Sequence, residues 1–267
     1  MPRQLCCIAL DLETTGVDVN EDEVIEIGAA GALVTIEDSA FVGTPTVRSF
    51  STLVTTKRPI SEFVQNLTNL APAAVRAAPP FVDALSTFGA FVDEVRQDCD
   101  LVLVTYNGLG FDLPLLAKQM AANRIQVDKW FRGHKVVSHV DLLLHVRAHF
   151  SFAKFKLGYV YQQIFQKEFG NAHRADADAA ATLELFLRLY RDTHCLPSWL
   201  ATLQVVQRDL AVKPEQLHGY KRKLSTTVVK QSTRSLSMAP VLPLHDLDVP
   251  LTPAQIADLQ NRKRLKR

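Results

Sequence analysis

The sequence predicts an α/β protein: a mixed five-stranded sheet flanked by helices over residues 1–195, followed by a basic, partly disordered C-terminal extension over residues 196–267. Three observations point there. Apolar runs of strand length recur near residues 5–11, 24–35, 47–56, 100–106 and 135–141. Stretches with helical spacing separate the later runs but not the first three. The early strands therefore suit an antiparallel meander and the later ones parallel crossovers. Charge also divides along the chain. Residues 196–267 hold 12 Lys and Arg against 5 Asp and Glu, a net +7, which leaves −5 on residues 1–195 and +2 overall.

The elements follow in order. "LCCIALD" is an apolar strand that ends on charge, and "VIEIGAAGALV" is the second. "FVGTPTVRS" reads as a turn-rich connection, its Gly and Pro interrupting the pattern before the third run. "PPFVDALSTFGAFVDEVRQ" opens on prolines and repeats apolar residues at Phe81, Ala84, Leu85, Phe88 and Phe91, one face of a helix. "DLVLVTY" is the fourth strand, "DLPLLAKQMAANR" a helix, and residues 135–141 the fifth strand. "FKLGYVYQQIF" is a short helix and "DADAAATLELFLRLYRD" a long one.

Composition excludes several classes. At 267 residues and 47% hydrophobic, the chain can bury one sizeable core. No apolar run approaches the ~20 residues a membrane span needs, and the first thirty residues lack a signal-peptide pattern. Cys6, Cys7, Cys99 and Cys195 show no CxxC spacing, which argues against a zinc cluster or disulfide framework. These features predict an intracellular protein of the nucleus or cytoplasm. In the extension, "YKRKLSTTVVKQSTR" and "NRKRLKR" read as solvated basic segments, suited to a localisation signal, a partner or phosphate contacts.

Three stretches carry candidate chemistry. In "DLETTG", strand alternation puts Asp11 and Glu13 on one face, where they repel unless a cation lies between them. In "TYNGLGFDLPLL", Asp112 stands at the threshold of a helix, where it also fits an ordinary N-cap ahead of Pro114. In "NAHRADADAAATLELF", His173 precedes a helix whose first turns hold Asp176 and Asp178, acids that also suit the helix dipole. On a helical wheel Asp178 shares a stripe with Leu185 and Leu189, whereas Asp176 lies nearer Glu184 and Arg191. Taken singly each stretch has a structural explanation. Together they supply four acids and one base. Such oxygen ligands select Mg²⁺ or Mn²⁺, two of which about 3.5–4 Å apart can drive an in-line phosphoryl displacement with a neutral histidine taking the water's proton.

"DLETTG", "NGLGFD" and His173 followed five residues later by Asp178 resemble the three motifs of the DEDDh 3′-to-5′ exonucleases of the ribonuclease H-like superfamily, over roughly residues 5–192. Within that family "YNGLGFDLPLL" and "FKLGYVYQQIF" are most similar to the TREX-type three-prime repair exonucleases. The resemblance implies two Mg²⁺ or Mn²⁺ ions. Asp11 would bridge both, Glu13 and Asp178 would complete the site of the nucleophilic water, and Asp112 would hold the second ion. It makes His173 the general base, and its spacing selects Asp178 over Asp176. It implies that Asn107, Thr14 and Thr15 seat the terminal nucleotide, and that Leu12 and Phe111 either pack on terminal bases or belong to the core. Tyr106 stands where the family often has His. The implied function is release of nucleoside 5′-monophosphates from DNA 3′ ends in repair or degradation. The alternatives are the same chemistry on RNA, or a non-catalytic module that binds nucleic acid or a polymerase. A homodimer, and a repair or replication partner reached through the extension, accord with the TREX likeness.

Overall fold

Alternation in the first strand sets the architecture. β1 (Arg3–Thr14) turns Leu5, Cys7 and Ala9 to one face of the sheet and Cys6, Ile8, Leu10 and Leu12 to the other, each row into its own core. The structure, a computed structural model, describes residues 2–37 and 40–193. Cys195 and the extension 196–267, with the readings made on them, lie outside the described residues.

β2 (Val24–Glu37) runs antiparallel to β1 from Arg3↔Ile36 to Thr14↔Val24, with an irregularity between Glu13 and Thr14. β3 (Ala40–Val42) and β4 (Arg48–Leu53) both pair with the far edge of β2. On the other side of β1, β5 (Leu101–Thr105) and then β6 (Val136–Asp141) add in parallel. The predicted meander and crossovers are both present, in the order β3-β2-β1-β5-β6 with β4 also on β2. The sixth strand is β3. It is one edge interrupted by the turn at Gly43, whose φ is +76°, and three residues are too few to register as an apolar run.

Helices cover both faces. α3 (Phe81–Arg96) and α4 (Asp112–Ala122) pack on the Cys6 side, and α7 (Leu157–Phe165) and α8 (Ala175–Thr193) on the Cys7 side. The predicted α3 face, from Phe81 to Phe91, is buried throughout. Each large side chain sequestered in this way, such as Phe88, contributes roughly 1.5–3 kcal/mol. Four short helices escaped the periodicity: α1 (Glu62–Thr68), α2 (Pro72–Arg76), α5 (Val127–Gly133) and α6 (Leu142–His149). "LTNLAPAAV" is divided between the first two, with Asn69 left-handed at the end of α1 and Pro72 opening α2. Among the described residues no helix is long and apolar enough to cross a membrane.

α8 lies unusually close to β2. The row facing it is small, Gly28, Ala30 and Ala32, and it meets Ala179 among the helix's buried residues. A Cβ on Gly28 would stand 2.0 Å from the carbonyl carbon of Ala175. Only a glycine lets the helix begin there.

Candidate active site

The row of β1 that starts at Leu5, Cys7 and Ala9 continues through Asp11 and Glu13, so both carboxylates face the start of α8. There Asp178 meets them: one oxygen from each of Asp11, Glu13 and Asp178 lies within 4.8 Å of the others. Asp176 is not part of this group, as the wheel and the His-to-Asp spacing both predict. Asp112 reaches the same strand from the opposite layer. It is buried at the first residue of α4, and its Oδ1 accepts the Leu12 N–H at 3.2 Å, between the two acids of β1. Its oxygens lie outside the close triad, although its charge acts on Asp11. His173 is exposed, in a left-handed conformation with φ +66°, and its N–H donates to Asp178 Oδ2 at 3.2 Å.

Crowding shapes the electrostatics. Burial pushes Asp11 well above the usual carboxylate range, and Asp112, Asp178, Glu13 and Glu26 push it further. Burial, then Asp178 and Glu26, raises Glu13 to about 8. Burial raises Asp112 to about 7, opposed by N–H donation from Leu12, and raises Asp178 to about 6, opposed by His173. Four oxygen-ligand acids with a shared excess of negative charge fit divalent cations chemically, because a cation relieves both the repulsion and the desolvation.

A pH dependence follows. Folded-state values above the unfolded range mean that these groups favour folding at low pH and lose that contribution as pH rises through about 6 to 8. The metal-free protein is expected to melt lower at pH 8.5 than at pH 6. The increment added by Mn²⁺ should grow across the same window, as the cation displaces fewer protons. Melting curves with EDTA or Mn²⁺ test this, and an increment independent of pH would contradict it.

The residues expected around the substrate are distributed unevenly. Leu12 is only 5% exposed and belongs to the core, which is the second of its two readings. Phe111 is half-buried against the same core, at the entry to α4. The Thr14 hydroxyl donates to the Gly16 carbonyl at 2.6 Å and that of Thr15 to Asp22 Oδ1 at 2.8 Å, so both hydroxyls already hold the turn after β1. Asn107 is exposed, with φ +68°. Tyr106 donates its hydroxyl to the Phe155 carbonyl at 2.8 Å, tying the loop before Asp112 to the segment that precedes α7.

A supporting residue at the end of β6 was missed. Buried Asp141, N-cap of α6, accepts the Asn107 and Leu143 N–H groups on Oδ1 at 2.8 and 3.1 Å and the Leu109 N–H on Oδ2 at 3.1 Å. It fixes the loop that delivers Asp112. The signal available was an acid closing an apolar strand directly before "LLL", the pattern of an N-cap. Beneath the loop, Thr105 Oγ1 and His139 Nε2 are bonded at 2.8 Å, and burial pulls the histidine down to about 3, which keeps it neutral.

Comparison with known proteins agrees with this geometry. Residues 8–186 match the RNase_T family, described as exonuclease. The chain is 24% identical over 201 residues to the 3′-5′ exonuclease DinG of Staphylococcus saprophyticus, covering 72% of this chain and 19% of that protein. It is 29% identical over 182 residues to the PolC-type DNA polymerase III of Caldanaerobacter subterraneus, covering 68% and 11%. The chain thus spans a fifth or less of the length of these relatives. In fold it is similar to Escherichia coli ExoI, solved as a zinc-bound complex with single-stranded DNA, with a TM-score of 0.50 and 19% identity over 69% of this chain and 40% of that one. It is likewise similar to cell-death related nuclease 4, with a TM-score of 0.51 and 17% identity over 69% and 63%. With its motifs gathered at the C-terminal end of the central strand β1 and the family match spanning nearly all of the described sheet, the chain belongs to the RNase_T exonucleases, of the DEDDh type.

Proposed function

We propose that the domain is a divalent-metal-dependent 3′-to-5′ exonuclease that releases nucleoside 5′-monophosphates from DNA, TREX-like in preferring single-stranded or frayed 3′ ends. The observation that carries the reading is the convergence of Asp11, Glu13 and Asp178 oxygens, with Asp112 on the Leu12 amide and His173 beside Asp178. Asp11, Glu13, Asp112 and Asp178 would hold two Mg²⁺ or Mn²⁺ ions. When bound, these supply the positive charge that activates water and stabilises the leaving oxygen. His173, exposed at the rim, takes the water's proton on its imidazole. The exposed Asn107 and the backbone around Thr14 and Thr15 would orient the terminal sugar. Preference for DNA is supported by the PolC-type relative, named for DNA polymerase III, and by ExoI, which was solved on single-stranded DNA. The "YNGLGFDLPLL" motif supports the TREX-like choice.

Matched 5′-labelled single-stranded DNA, duplex DNA and RNA, incubated with the full chain and Mg²⁺, test the proposal. The expected product is a ladder shortening from the 3′ end, fastest on single-stranded DNA. His173→Ala should lower kcat about 10²–10⁴-fold, the range for removal of a general base. Faster loss of RNA would reassign the substrate, and internal cleavage or no cleavage by the unmodified chain would refute the exonuclease reading.

A further inference from the structure

We infer that Glu26 and Arg174 form a positioning clamp that docks the His173–Asp178 turn onto β2 and so places the general base, an inference that rests on the exonuclease reading. Glu26 is the β2 partner of Glu13, in the same row as Gly28, and is fully buried. A buried charge is tolerated only when paired and hydrogen-bonded, and Glu26 is both. Its Oε1 accepts Arg174 Nη2 at 2.6 Å and the Ser51 hydroxyl at 2.7 Å. Its Oε2 accepts Arg174 Nε at 3.2 Å and the Ala175 N–H at 3.3 Å. The two guanidinium bonds form a fork on the carboxylate, a geometry that fixes orientation as well as distance. Both oxygens are engaged by the chain itself, which makes Glu26 an anchor for Arg174 rather than one more open ligand.

Arg174 lies between His173 and Ala175, so whatever holds it holds the turn. That turn needs holding. Asn171 and His173 are both left-handed without being glycine, at φ +57° and +66°, conformations that persist only when the surroundings impose them. Within the turn the Arg174 N–H donates to the Asn171 carbonyl and the His173 N–H to Asp178 Oδ2, both at 3.2 Å. These bonds give the turn its shape without attaching it to the sheet. Gly28 sets how close the helix start comes to β2; the Glu26–Arg174 fork sets which way it faces. Without the fork, His173 and Asp178 would pivot together away from Asp11 and Glu13.

The test compares the full chain with R174A, R174K and the double variant E26Q/R174A, which neutralises the buried acid should R174A alone fail to fold. R48A, which breaks an exposed ion pair to Glu94 of 2.7 Å, is the control. Hydrogen exchange of residues 171–178 in metal-free protein should accelerate at least about tenfold in R174A and the double variant, with α3 and R48A unchanged. On single-stranded DNA in Mg²⁺, kcat should fall about 100-fold, the effect of a misplacement near 1 Å, while KM moves little. R174K, keeping the charge without the fork, should fall between, and added guanidinium should restore part of the R174A rate. Unchanged exchange and kcat would overturn the clamp. A rise in KM at constant kcat would also overturn it, by making Arg174 a phosphate contact. If the unmodified chain degrades nothing, the exonuclease reading fails while the exchange result still decides the clamp.

Discussion

The Asp11→Asn protein is expected to degrade no 3′ ends in Mg²⁺ and yet, in EDTA at pH 8, to melt at a higher temperature than the unmodified chain. Asn keeps the shape of the side chain and removes its charge. In the metal-free site that charge is a burden, since burial and then Asp112, Asp178, Glu13 and Glu26 all drive Asp11 upward. A carboxylate with a raised folded-state value favours folding at low pH and loses that contribution as pH rises, whereas Asn does not titrate. The gap between the two proteins should therefore open with pH. Each unit of displacement is worth about 1.4 kcal/mol, and 1 kcal/mol moves the melting point of a domain this size by about 2–4 °C. Excess Mn²⁺ should reverse the order by stabilising only the unmodified site. Calorimetry with and without Mn²⁺ reads both signs, and a lower melting point for the variant in EDTA would contradict the account of the site as a cluster of mutually repelling acids.

The second large effect is expected from Gly28→Ala, a change of one methyl group. Its Cβ would meet the Ala175 carbonyl carbon at 2.0 Å, the Asp176 nitrogen at 2.2 Å and the Ala175 oxygen at 2.3 Å. These are backbone atoms that no rotamer change can move aside. Overpacking costs about 1–3 kcal/mol where side chains can adjust, and here the cost should reach the top of that range or exceed it. Because α8 begins at Ala175 and carries Asp178 one turn later, the helix shifts with that carboxylate, and Mn²⁺ binding by calorimetry should weaken at least tenfold. Gly31→Ala is a fair comparison. Its Cβ would meet only side chains, the nearest a Val95 methyl at 3.0 Å, and it should leave Mn²⁺ binding intact. Equal Mn²⁺ affinity in both variants would show that the close approach does not control the site.

The sheet was legible because each long strand is a run of apolar residues, and the three-residue β3 was not, because its pattern is broken at Gly43. Asp11, Glu13 and Asp178 were legible because motif spacing and alternation speak directly about faces. What holds them was harder to see. Glu26 sits inside the apolar run "VIEIGAAG" and Arg174 beside His173, and nothing local in either stretch links the two, which are bonded in the folded chain. Their pairing spans 148 positions, beyond any local pattern. Leu12 shows the reverse case: the alternation that aims its neighbours at the site turns its own side chain into the core.

The Leu12–Asp112 hydrogen bond spans 100 positions and the Glu26–Arg174 pair 148. Chains emerge from the ribosome from the N-terminus, so Asp11, Glu13 and Asp112 are all synthesised well before the segment that carries His173 and Asp178. Until α8 is complete and docked on Gly28, the growing polypeptide has neither His173 nor the fourth acid, Asp178, in place. The set is therefore completed only after every strand of the described sheet has been synthesised.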